Sequence, residues 1–218
     1  MVQACAFEAA ENTAADASSP ATRAVPPASG AGNQHDGPPP VALPAVDLLP
    51  YEEYAQSLNR KRASAGVLFR DEQRRVLLVQ TSYKVEWDIP GGAVEAGEAP
   101  WVTARREVRE ELGIDRPLGQ LLVIDYVPDD GLMPEGLAFV WDGGILTQRD
   151  RDLVVLTDPE ILSLQFCAAP DVTARVKPRL ARRLTAAVEA AEHGGQPALC
   201  DDGRRVAREA RRSARGTS

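Results

Sequence analysis

The stretch from Pro100 to Gly113 constrains this chain more than any other. Ala104, Val108 and Leu112 recur every four residues, the spacing of one helical face. Pro100 suits a first helical turn and Gly113 suits a left-handed stop. On the same helix Glu107, Glu110 and Glu111 stand at i, i+3 and i+4, which makes them neighbours about 5–6 Å apart. The spacing predicts an apolar stripe on one face and three carboxylates on another. Carboxylates this close repel one another unless a cation lies among them. An all-oxygen donor set suits a hard ion, Mg²⁺ or Mn²⁺, which keeps several waters and binds phosphate groups.

The residues before the helix fit the same chemistry. Gly91-Gly92 lets a backbone approach a ligand or metal closely. Glu98, at the helix entry, is placed to favour the helix dipole or to hydrogen-bond a catalytic group. Arg106 cannot lose its charge, so it can hold Glu107 ionised and oriented.

Around this centre the chain divides into four parts. Residues 1–45 are rich in Ala, Ser, Pro and Gly without apolar periodicity, and are expected to form a disordered tail. Residues 46–62 read as a short helical lead-in, and residues 63–192 as the folded domain. Residues 193–218 read as an Arg-rich C-terminal tail. Within the domain, Ala65–Phe69 and Arg75–Thr81 flank a polar turn and predict a hairpin. Further strands are expected at Leu121–Val127, Leu137–Trp141 and, more weakly, Leu153–Leu156. A helix over Asp171–Glu192 should be broken or kinked at Pro178. Strands before and after one central helix predict an α/β (α+β) layered fold with a mixed sheet.

Composition narrows the partners. The formal charge of −7 argues against a protein that coats nucleic acid. The three cysteines, Cys5, Cys167 and Cys200, lack metal-binding spacing and are expected to be reduced thiols. No apolar run is long enough to span a membrane, and the N-terminal residues lack a basic and apolar leader pattern. A cytoplasmic protein is therefore the expectation.

The central motif resembles the Nudix box: a glycine, five residues, a glutamate, seven residues, then R-E-U-x-E-E-x-G-U, where U is bulky and apolar. Here it reads Gly92, Glu98, then Arg106-Glu107-Val108-Arg109-Glu110-Glu111-Leu112-Gly113-Ile114. Chance would produce such a match in a chain of this length with a probability on the order of 10⁻⁷. The resemblance implies a Nudix-type α/β/α sandwich with a mixed β-sheet and hydrolysis of a diphosphate bond by an activated water. It also implies Mg²⁺ (or Mn²⁺) held by Glu107, Glu110, Glu111 and the Gly92 carbonyl. Arg106 would orient Glu107, and Glu98 would support the loop and helix. Glu107 or Glu110 is the first expectation for the general base, with Asp129, Asp130, Glu135, Asp150, Asp152 and Glu160 as later candidates.

Substrate choice lies outside the box. The resemblance points to a small-molecule diphosphate, a nucleoside diphosphate linked to another moiety of ADP-ribose or nucleotide-sugar type. A nucleoside triphosphate, an isoprenoid diphosphate and a non-catalytic nucleotide-sensing module stay open as alternatives, and a homodimer is among the assemblies the resemblance allows. Arg70, Lys84, Tyr126 and Glu135 are the candidate substrate contacts, each also readable as an ordinary surface or strand residue.

Overall fold

A computed structural model of the chain describes residues 49–207. The expected disordered tail, residues 1–45, lies outside the described residues, as do Arg208, Arg211, Arg212 and Arg215. The lead-in forms α1 (Tyr51–Ser57), which is exposed throughout.

The central sheet begins with β1 (Arg62–Arg70) and β2 (Val76–Thr81), which meet antiparallel at Arg70 and Val76, as the expected hairpin requires. Asp71 builds the turn: its carboxylate accepts from the backbone N–H of Gln73 and Arg75 and from Arg75 Nε. β3 (Gly91–Ala93) pairs antiparallel with β1, and α2 (Pro100–Leu112) follows. β4 (Leu121–Val127) and β5 (Gly136–Ile145) form an antiparallel pair, and β5 lies parallel to β1. After α3 (Gln148–Asp152), β6 (Ile161–Cys167) pairs antiparallel with β2. Two helices follow, α4 (Ala169–Arg175) and α5 (Pro178–His193), then β7 (Ala198–Asp201) and β8 (Arg204–Arg205). The strand order is β6-β2-β1-β5-β4-β7-β8, with β3 on β1, so the sheet is mixed.

Alternation along β1 and β2 explains the layering. Ala65, Val67, Phe69, Leu77 and Val79 pack with Ala104, Val108 and Leu112 of α2. Leu68, Val76 and Leu78 pack on the opposite side with Leu180, Leu184 and Ala187 of α5. The sheet therefore lies between two helical layers, as an α/β/α sandwich. Burying Val108 and Leu112 contributes about 1.5–3 kcal/mol each. A like-charged pair on a helix surface costs only about 0.2–0.5 kcal/mol, so packing outweighs repulsion wherever the carboxylates stay in solvent.

Two local expectations need correction. Leu153–Leu156 forms no strand: Val155 N–H instead donates to Leu112 O and closes the end of α2. The strand lies further on, at β6, where Leu162, Leu164 and Phe166 alternate with Ser163 and Gln165, a period-two pattern that was legible. Residues 198–205, assigned to the Arg-rich tail, instead extend the sheet as β7 and β8. Asp202-Gly203 at their turn has φ of 50° and 77°, the geometry of a tight hairpin. Pro178 does break the expected long helix, by starting α5.

Candidate active site

The box loop and α2 meet at Arg106. Its Nε donates to Glu98 Oε1 at 3.0 Å and its Nη2 to Glu98 Oε2 at 3.1 Å, a two-pronged grip. Its Nη1 reaches Glu107 Oε1 at 3.0 Å and Glu110 Oε2 at 2.9 Å. Thr103 Oγ1 donates to Glu98 Oε2 at 2.6 Å, which ties Glu98 to the first turn of α2. The expected pairing of Arg106 with Glu107 is present, and the support role expected of Glu98 takes the form of a brace on Arg106.

The three box glutamates occupy different environments. Glu110 is exposed, Glu107 is half-buried and Glu111 is buried. Glu111 stands seven residues after Ala104, on the edge of the apolar stripe, so the expectation of three carboxylates wholly apart from that stripe is corrected. Its Oε2 accepts from Gly91 N–H at 3.1 Å. Glu107 lies against Gly92, where a Cβ would collide with its carboxylate. Arg106 and Thr103 hold the Glu98 carboxyl down at about 2. Burial raises Glu107 against the pull of Arg106. Burial, with the charges of Glu107, Asp88 and Asp158, pushes Glu111 up to about 8 despite the Gly91 hydrogen bond.

A buried carboxylate among other acids is a site that a cation relieves, and its all-oxygen surroundings match a hard divalent ion. Among the described residues no ready-made group of three acidic, His or Cys side chains gathers around one point. Arg106 draws Glu107 and Glu110 to itself, while Glu111 turns to Gly91. The donor types fit a divalent cation, and closing on one requires Glu107 and Glu110 to be shared with Arg106.

Beside Gly91 and Gly92 is a recess of about 140 Å³, which shares Ser64, Asp88, Leu180 and Arg183 with a larger cleft of about 690 Å³. The cleft is lined by the cations Arg62, Lys84, Lys177, Arg179, Arg182 and Arg183, by the acids Glu86, Asp88, Asp130 and Asp202, and by a single aromatic side chain, Trp87. Arg175 stacks over the Trp87 ring, 5.1 Å from its centroid. Lys84 pairs with Asp88 at 2.5 Å. Burial opposes its ammonium, but Asp88 and, more weakly, Tyr83 and Glu111 raise it overall.

Of the candidate substrate contacts, only Lys84 lines this cleft. Arg70 is engaged by Asp142 at 2.8 Å. Tyr126 donates to Glu135 at 2.5 Å, and Lys61 pairs with Glu135 and stacks on Tyr126. Of the later base candidates, Asp130 alone is in the cleft, where it accepts from Leu132 and Met133 N–H. Sequence reading missed Asp88, Asp125, Asp158, Asp202 and the arginines of α5. The Asp202-Gly203 hairpin signal could have located one of them.

The sequence matches the NUDIX domain family over residues 60–187, more than half of the chain. The chain belongs to the NUDIX family. Members of this family generally use divalent metals. Among curated relatives, diphosphoinositol polyphosphate phosphohydrolase 2 of Rattus norvegicus is 48% identical over 66 residues, 29% of this chain and 37% of the relative. The CMP-5'-(N-acetyl-N-hydroxy-3-aminopropyl)phosphonate hydrolase of Streptomyces rubellomurinus is 32% identical over 97 residues, 43% of this chain and 47% of the relative. The NUDIX chain thus spans less than half the length of each. A crystal structure of a UDP-X diphosphatase superimposes with a TM-score of 0.51 at 21% identity, covering 70% of this chain and 76% of the other, which supports the NUDIX fold. No described helix is long and apolar enough to cross a membrane.

Proposed function

We propose that this chain hydrolyses a diphosphate bond in a small, multiply phosphorylated molecule, using a divalent cation, Mg²⁺ or Mn²⁺. The observation that carries this reading is the Arg106-braced glutamates, with Glu107 against Gly92, together with a recess beside Gly91-Gly92 that opens on a cleft lined by six cationic side chains. Glu107, Glu110 and Glu111, with the Gly92 carbonyl, would hold the cation. When bound, it supplies neutralisation of diphosphate charge and a lowered pKa for an attacking water. Lys84 and the cleft arginines neutralise and orient the phosphates. Water attack at one phosphorus breaks the bridging P–O bond and releases two phosphorylated products. Glu107 lies against Gly92, which lines the recess, whereas Glu110 is on the exposed side of α2, so geometry favours Glu107 as the proton acceptor.

Multiple phosphates are favoured by the cationic lining, and the relatives named for diphosphoinositol polyphosphates agree with that chemistry. A nucleoside diphosphate linked to another moiety, the ADP-ribose or nucleotide-sugar class, is the second reading. Trp87 at the cleft favours it, as a surface for a base.

The test is a divalent-dependent phosphate-release panel over diphosphoinositol polyphosphates, ADP-ribose, nucleotide sugars, dinucleoside polyphosphates and nucleoside triphosphates. Turnover that disappears with chelator and with Glu110→Gln supports the hydrolase. Silence across the panel, with the same compounds still raising the Tm, would overturn it in favour of a ligand-sensing module.

A further inference from the structure

The first turns of α5 carry an arrangement that hydrolysis at the box does not by itself require. Arg179, Arg182 and Arg183 follow Pro178, and no acidic residue accompanies them in the first turn. The positive end of the helix dipole disfavours added cations there. All three nevertheless line the cleft, and three carboxylates from outside α5, Asp125, Asp130 and Asp202, pair with them.

Asp202, in the β7–β8 turn, accepts from Arg179 Nε and from Arg182 Nη2, and its backbone carbonyl accepts from Arg182 Nε and Nη2. Arg182 thus commits Nε and Nη2 to one turn. Arg183 is held differently. Asp125 of β4 is fully buried, and its Oδ2 accepts from Arg183 Nε at 2.7 Å while its Oδ1 accepts from Gly203 N–H at 2.9 Å. The carboxylate is satisfied on both oxygens, and the two terminal nitrogens of Arg183 have no hydrogen-bond partner among the described residues. Arg183 is also the one cation that lines both the cleft and the recess beside Gly91-Gly92.

An arginine fixed through Nε keeps a rigid pair of donors for an oxyanion, with its side-chain entropy already lost. We propose that Arg183, positioned by the buried Asp125, is a phosphate-binding residue of this cleft and takes a substrate phosphate adjoining the one attacked. The inference rests on the hydrolase reading of the box and names the residue that places its substrate. Asp125 touches no ligand and acts as a positioning residue. It also ties the β7–β8 turn to the start of α5, so sheet and helix together set where Arg183 stands.

The competing account is that Arg183 only neutralises Asp125. Calorimetric titration of inorganic tripolyphosphate into the full chain, with chelator present, reads phosphate binding apart from turnover. Arg183→Gln is expected to weaken binding at least about tenfold, and Arg183→Lys by less. Arg149→Gln, which removes an exposed cation on α3, should leave it unchanged. With a hydrolysed substrate, Arg183→Gln should raise KM more than it lowers kcat. Because that variant strands a buried charge and can fail to fold, the double variant Asp125→Asn/Arg183→Gln removes both charges. It should fold and bind as weakly as the single one. Wild-type affinity in the folded double variant, or no tripolyphosphate binding by the wild type, overturns the proposal. Arg183-dependent binding in a chain that turns over no substrate would instead overturn the hydrolase reading and keep the phosphate site.

Discussion

Arg106 grips Glu98 with two parallel hydrogen bonds, Nε to Oε1 at 3.0 Å and Nη2 to Oε2 at 3.1 Å. Through this contact the loop before α2 fixes the guanidinium that also reaches Glu107 and Glu110. Arg106→Lys keeps the charge but has one nitrogen in place of the fork. The expected result is a loss of about 10–100-fold in kcat/KM and in divalent affinity, with an unchanged far-UV circular dichroism spectrum.

Glu110 is exposed, so its replacement should trouble the fold little. Glu110→Gln keeps the shape while removing a carboxylate from the proposed metal set. Activity should fall by at least ~10²-fold with little change in Tm. Near-normal turnover would remove Glu110 from the site.

Glu98 is one of the carboxyls expected to shape the acid response. Its carboxyl is held at about 2, below the ordinary 4.5, first by Arg106 and then by Thr103. A carboxylate with a depressed folded pKa stabilises the fold fully above its unfolded value. That contribution is lost as pH falls from about 4.5 towards 2. Denaturant titrations across this window should show falling stability in the wild type and a flatter limb in Glu98→Gln. Identical slopes would exclude Glu98 as a source.

Glu111 is 6% exposed and faces the charges of Glu107, Asp88 and Asp158. Glu111→Gln should therefore raise the Tm measured in chelator at any pH above the ordinary 4.5, because it removes a carboxyl that the fold must either keep protonated or bury as a charge. It should also diminish the rise that Mg²⁺ or Mn²⁺ produces in the wild type. A ligand at a hundred times its Kd stabilises by about 2.7 kcal/mol, enough to be seen in a thermal scan. A divalent shift of undiminished size in Glu111→Gln would count against a metal at Glu111.

Gly203 has φ of 77°, and a Cβ there would collide with the carbonyl oxygen of Arg179. Gly203→Ala is expected to destabilise by about 1–3 kcal/mol, read as a lower Tm. It should also disturb Asp125, which accepts from the Gly203 N–H.

Sequence by itself determined the elements whose signals are local. The stripe Ala104, Val108, Leu112 and the stop at Gly113 wrote α2 into the chain, and the spacing of Glu98, Arg106, Glu107, Glu110 and Glu111 named the candidate catalytic set. A helix repeats every few residues, so its faces can be read from spacing alone. Tertiary structure decided the rest. It placed Glu111 inside while leaving Glu110 outside, because packing on the sheet sets how deep each edge of α2 sinks. It moved residues 198–205 from a tail into the sheet, where the backbone groups of β7 find their partners on β4. It brought Arg183 to Asp125 across 58 positions of sequence and set Arg183 in the recess beside Gly91-Gly92. A side chain recruited from a distant helix leaves no periodic trace in the chain, since its role depends on where the sheet order sends it.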